Sequence, residues 1–182
     1  AMTTYFEAAQ ENPHHKTYHD RHYGFPIRSD ADLFERLILE INQAGLSWLT
    51  ILKKQENFRT AYRGFEIDRV AAFTEKDRTR LLGDPGIIRN RLKVDAAIHN
   101  ARVLQGLIRD HGSFADWLDL HHPLPKEAWV KLFKKHFKFT GGEIVGEFLM
   151  SIGYLPGAHH EHCPVYQKIA KLNPPWMATI RR

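Results

Sequence analysis

The 182-residue chain holds a single cysteine, Cys163. One thiol excludes an intrachain disulfide framework and suits a reducing compartment. Long apolar runs are also missing. No window reaches the roughly 18 to 20 apolar residues of a membrane span, and the start lacks the basic-then-apolar order of a signal peptide. The expectation is a soluble, cytoplasmic protein with no membrane partner. Ala1 ahead of Met2 reads as a cloning scar, with Met2 the natural start. Strand-like alternation bounded by hairpin turn pairs is nearly absent, and there are no repeats or low-complexity stretches. A large charge excess is lacking too: 26 Lys+Arg against 21 Asp+Glu leave only +5, with 12 histidines in reserve. That balance permits a polyanionic partner without requiring one.

What remains is ordinary globular composition, 43% hydrophobic and 26% charged, which argues against disorder. Helical spacing dominates, so the fold class is read as all-α, a single domain over residues 1–182. Ser29-Asp30 cap a helix whose buried face is Leu33, Phe34, Leu37, Ile38 and Ile41. A second helix is expected over about Ser47 to Tyr62, ending near Gly64, and Thr74 caps a short one reaching Leu82. The longest periodic stretch, about Asn90 to Asp110, carries Leu92, Ala96, His99, Val103 and Leu107 broadly along one side, and Gly112 ends it. After a short segment at Phe114 to Leu118 come helices at Lys126 to His136 and about Glu143 to Ile152. The proline-rich tail from Gly153 is expected to wrap over the body with at most one short helix, near Val165 to Lys171.

Four groups of residues carry candidate chemistry. Glu40 lies on the edge of the apolar stripe of its helix, where a carboxylate either snorkels to water or points into a pocket to meet a polar or cationic ligand. Trp48, Tyr18 and Tyr23 are core aromatics or, if they converge on Glu40, a flat slot for stacking a nucleobase. His19, His159 and Cys163 supply three donors of a tetrahedral zinc site tying tail to head, with His14, His15, His160 or His162 available as the fourth. The alternative is a set of surface histidines. Lys126, Lys131, Lys134, Lys135 and Lys138 lead into the Gly141-Gly142 turn, and Gly86 to Lys93 repeats the pattern of a turn opening a cationic helix. Such turns either face solvent or offer backbone N–H groups and cations to the DNA backbone without reading bases.

The motifs Tyr18-His19-Asp20, Tyr23-Gly24 with Pro26, Leu33-Phe34-Glu35, Leu39-Glu40, Gln43 to Trp48, Leu52-Lys53-Lys54, Gly86 to Arg89 and Phe137 to Gly141 span about residues 13 to 163. Together they resemble the 3-methyladenine DNA glycosylase I family of the helix-hairpin-helix superfamily. The run from Glu40 to Lys54 is the most specific part. The resemblance implies a helix-hairpin-helix helical bundle with its N- and C-terminal segments packed together. It implies a monofunctional hydrolase that flips and excises 3-methyladenine from alkylated double-stranded DNA as a monomer, releases the free base and does not nick the strand. By the same resemblance Glu40 is the catalytic, base-reading glutamate, and Tyr18, Tyr23 and Trp48 bind the base. Lys138, Thr140, Gly141 and Gly142 grip phosphates, and His19, His159 and Cys163 are three of four ligands of a structural zinc ion. The sequence departs from the family where it reads Tyr5-Phe6-Glu7-Ala8 without the fourth, cysteine ligand or the tryptophan that follows it, and where Tyr23 replaces a usual tryptophan. The rival readings are a lesion-binding protein of the same fold without catalysis and a zinc hydrolase built on His19, His159 and Cys163.

Overall fold

A computed structural model describes residues 4–180; the Ala1-Met2 start lies outside them. In chain order the helices are α1 (Tyr5–Ala9), α2 (Pro13–Arg21), α3 (Asp30–Gln43), α4 (Trp48–Lys53), α5 (Gln55–Ala61), a 3-10 turn (Arg63–Phe65), α6 (Ile67–Ala71), α7 (Glu75–Leu82) and α8 (Arg91–His111). They continue with α9 (Phe114–His121), α10 (Lys126–His136), α11 (Gly142–Ser151), α12 (Pro164–Lys171) and α13 (Pro175–Ile180). The fold is all-α as expected, with no strand among the described residues, and no helix is long and apolar enough to cross a membrane.

α3 is the axis of the bundle. The Ser29 hydroxyl accepts from Asp32 N (3.3 Å), and Asp30 and Asp32 in the first turn complement the helix dipole. Its periodic face Leu33, Phe34, Leu37, Ile38 and Ile41 is fully buried, as is Asn42, and Arg36 and Glu40 are nearly so, because neighbouring helices cover it on most sides. α7 starts with the capping box of Thr74 and Asp77, and α10 keeps its expected bounds.

Other expectations are corrected. The helix expected from Ser47 to Tyr62 breaks at Lys54, where φ −98° and ψ 2° leave helical geometry. The break turns α5 back onto α3, so that Gln55 Nε2 and Arg59 Nε reach the Glu35 carboxylate at 2.8 and 2.9 Å. In α8, Leu92 is 68% exposed rather than on the inner face. The inner stripe runs through Val94, Ala97, Ala101 and Leu104, where two alanines let α6 come close. The segment before Ser29, for which the spacing predicts no helix, contains α1 and α2, started by the Thr4–Glu7 capping box and by Asn12 ahead of Pro13. The tail forms two helices instead of at most one, because Pro164 and Pro175 stand at first helical positions where proline starts a helix rather than breaking one.

Head and tail close on each other around Tyr23-Gly24. Gly24 N donates to Ser151 O (2.8 Å) and His159 Nε2 donates to Tyr23 O (2.7 Å). Gly24 has φ +85°, and a Cβ there would stand 2.9 Å from the Ala158 Cβ. Gly24→Ala is therefore expected to cost about 1–3 kcal/mol from backbone strain and the clash together. Urea unfolding would measure it, and an unchanged midpoint would refute the close approach.

Candidate functional site

The C-terminal end of α3, the start of α4, the loop after α2 and the N-terminal end of α11 enclose a cavity of about 710 Å³. Four residues singled out in the sequence, Tyr18, Tyr23, Glu40 and Trp48, line it together. Tyr18 holds the centre of the aromatic wall, with ring centroids 5.2 Å from Trp48 and 5.5 Å from Tyr23. The Arg36 guanidinium lies over the Tyr18 ring at 5.2 Å and donates to Ser151 O (3.1 Å), so it braces the wall from behind. Gly45, at φ +82°, carries the chain out of α3 at the rim.

Glu40 is 4% exposed, and no hydrogen bond reaches its carboxylate among the described residues. Burial, reinforced by the nearby Glu147 carboxylate and opposed by Arg36, pushes its pKa up to about 8. The Trp48 indole N–H also lacks an acceptor among the described residues. Burial likewise raises Tyr18 and Tyr23, so both phenols stay protonated. The result is a flat aromatic slot with an unpaired acid at its wall, suited to a planar ligand with hydrogen-bond donors or positive charge.

The turn between α10 and α11 adjoins this slot, since Gly141 and Gly142 line the cavity as well. No side chain caps α11, which leaves its first N–H groups for a ligand, and Lys138 beside it is exposed. The Thr140 side chain is buried and its hydroxyl donates to Phe137 O (3.4 Å), so this residue presents main chain rather than hydroxyl outward. Buried Asn100 of α8 fixes the turn: its Nδ2 donates to Lys138 O (3.0 Å) and its Oδ1 accepts from Lys138 N (2.8 Å). In the second candidate turn, Lys93 does not face outward. It is buried, and its Nζ donates to Asn42 O and Ala44 O, both at 2.7 Å, capping the C-terminus of α3.

His19, His159 and Cys163 come together, with donor atoms all within 4.8 Å of one another. His19 Nδ1 donates to Asp20 Oδ1 (2.8 Å) and His159 Nε2 donates to Tyr23 O, which leaves each inner nitrogen an acceptor aimed at Cys163 Sγ at 3.5 and 3.6 Å. Those separations match the roughly 3.5 Å edge of a tetrahedron with ordinary zinc–sulfur and zinc–nitrogen bonds. One thiol proton cannot serve two facing acceptors, so the donor set fits a cation, and the outer hydrogen bonds are of the kind that orient metal-binding histidines. His14, His15, His160 and His162 lie outside this cluster. Phe6 packs on the cluster instead, its ring 5.5 Å from that of His19.

Several pocket residues escaped the sequence reading. Tyr5 lines the slot, its ring 5.5 Å from Tyr23 and its hydroxyl bonded to His15 Nδ1 (3.0 Å). Glu147 lines it from α11 and accepts a long bond from the Tyr23 hydroxyl (3.5 Å). Lys93 and Asn100 act through the turns they hold. Only the α1 capping box signalled that Tyr5 was anchored, and nothing in the local sequence marked the others.

The buried acid yields a pH prediction. The Glu40 carboxyl binds its proton more tightly folded than unfolded, so stability is greatest below its ordinary pKa of 4.5 and falls as pH rises toward about 8. Glu40→Gln removes this loss: its melting temperature is expected to exceed that of the parent increasingly across that window. Parallel melting curves from pH 4 to 9 would contradict a buried, unpaired acid.

The methyladenine glycosylase family model matches residues 8–126. DNA-3-methyladenine glycosylase 1 of Escherichia coli K12 is 37% identical, with 86% of this chain and 93% of the relative covered. The structure of a tyrosine-to-phenylalanine variant of 3-methyladenine DNA glycosylase I in complex with 3-methyladenine superposes with a TM-score of 0.76 at 31% identity, covering 85% of this chain and 93% of that one. The 3-methyladenine DNA glycosylase I of Staphylococcus aureus gives 0.77 at 32% identity, covering 85% and 92%. A slot walled by Tyr18 and Trp48, with an unpaired acid at Glu40, is thus found in a chain that belongs to the methyladenine glycosylase family.

Proposed function

We propose that the chain is a monofunctional DNA-3-methyladenine glycosylase that acts as a monomer in the cytoplasm, flipping 3-methyladenine out of alkylated double-stranded DNA and hydrolysing its N-glycosidic bond. The observation that carries the reading is Glu40, an acid buried without a partner in the wall of a flat aromatic slot. The flipped base stacks on Tyr18, Tyr23 and Trp48. Methylation at N3 leaves that base cationic, so its approach favours ionisation of Glu40, and the carboxylate then offsets the base charge and accepts from its amino edge.

The chemistry asks little more of the protein. As the C1′–N9 bond breaks, its electron pair moves onto the base and neutralises it. Water adds its oxygen to C1′ and releases a proton, and neutral 3-methyladenine departs. The ionised Glu40 favours the positive charge that builds on the sugar. Desolvation in the slot strengthens this attraction. No lysine lines the slot among the described residues, in keeping with hydrolysis without a Schiff base or strand nicking. Outside the slot, Lys138 and the main chain of Thr140, Gly141 and Gly142 hold phosphates as the hairpin of a helix-hairpin-helix unit.

His19, His159 and Cys163 would hold a structural zinc ion, which when bound would cross-link α2 to the C-terminal segment. In this reading the metal stands apart from the reacting base. Removing it with a chelator is expected to lower the melting temperature by several degrees while base excision continues. Protein purified without bound zinc, or excision that stops with metal removal and returns with its addition, would sink the structural assignment.

Release of free 3-methyladenine from methylated DNA tests the central reading. The parent protein should release it, whereas Glu40→Gln and Trp48→Ala should each slow release by about 10²-fold or more with nonspecific DNA affinity within about threefold of the parent. A parent protein that binds lesion DNA tightly without turnover would instead be a lesion-binding protein.

A further inference from the structure

The lining of the base slot contains Glu40, Glu143 and Glu147 but no lysine or arginine among the described residues, in a chain of net charge +5. Negative lining beside a phosphate-binding turn weakens attraction for DNA unless something positive enters the slot. Glu143 is exposed at the first turn of α11. Glu147 lies one turn further in, half-buried, with the Tyr23 hydroxyl 3.5 Å from its Oε2. The groups that act on this region come from every surrounding element: Tyr5 of α1, Tyr18 of α2, Tyr23 of the following loop, Glu40 and Arg36 of α3, Lys126 of α10 and Glu143 of α11. Of the two cations, Arg36 is committed to Ser151 O and the Tyr18 ring, and neither it nor Lys126 lines the slot.

We propose that Glu147 is a specificity-determining residue of the slot, a second carboxylate that with Glu40 makes the enzyme select positively charged nucleobases over neutral ones of the same shape. Glu40, at the end of α3, meets the polar edge of the base. Glu147 supplies charge from the α11 side, next to the turn that holds the phosphates. A cation between them offsets the charge of buried Glu40 and half-buried Glu147, and a neutral isostere does not. The inference rests on the glycosylase reading and adds the basis of its substrate selection.

The test uses two small probes, the permanent cation 3,9-dimethyladeninium and its neutral 3-deaza isostere, with affinities read by quenching of tryptophan fluorescence. The parent protein should prefer the cation. Glu147→Gln should lower the cation-to-neutral affinity ratio about tenfold, chiefly by weakening the cation. Glu147→Asp, which keeps the charge, should hold the ratio within about threefold of the parent. Equal loss of both probes in Glu147→Gln, or an unchanged ratio, would overturn the inference. Release of 3-methyladenine by the parent protein, measured alongside, separates the two claims: release with an unchanged ratio refutes only the role of Glu147, and absence of release refutes the glycosylase reading itself.

Discussion

A carboxylic acid buried without a hydrogen-bond partner is costly to keep charged, and Glu40 is such a group. In water it would ionise near its ordinary pKa of 4.5; in the slot, burial pushes that up to about 8. The slot is then set to respond to positive charge. A cation can take over from the proton in neutralising the acid.

The rim of that slot and the turn between α10 and α11 are positioned by one helix. On α8, Lys93 and Asn100 stand seven residues apart and therefore share a face. Each uses two hydrogen bonds to fix main chain on another element, Lys93 to Asn42 and Ala44, and Asn100 to both polar groups of Lys138. Both side chains are buried, and burial of a charged amine pushes the Lys93 pKa down. Such groups persist when their bonds are complete, and here the completed bonds set the spacing between the rim of the slot and the turn that leads into α11.

This division explains what was legible in the sequence. Glu40, Tyr18, Tyr23 and Trp48 were readable because they fall in recognisable motifs and because a carboxylate at the edge of an apolar stripe is an anomaly. The strongly periodic helices α3, α10 and α11 were readable for the usual hydrophobic reason. Lys93 reads as an outward cation because it closes the run begun by Arg89 and Arg91, and only the C-terminal carbonyls of α3, distant in sequence, draw it inward. Asn100 and Glu147 look like ordinary polar helix residues until α8 meets the turn and α11 meets Tyr23. Leu92 shares the expected stripe with Ala96, His99, Val103 and Leu107, whereas the face that meets α6 runs through Ala97 and Ala101, whose small side chains set the close approach.

The altered N-terminal segment has a similar logic. Tyr5 and Phe6 are neighbours on α1, yet they serve different places. Tyr5 enters the slot against Tyr23, and Phe6 packs with Cys163, Val165 and Ile169 beside the His19–His159 pair. An apolar contact therefore holds α1 on the tail, and the tyrosine beside it supplies aromatic wall to the slot. Tyr23 joins the two places: its ring belongs to the slot, and its carbonyl accepts from His159. A displacement at the histidine–cysteine seam would thus move the carbonyl and ring of the same residue, and with it the aromatic wall of the slot.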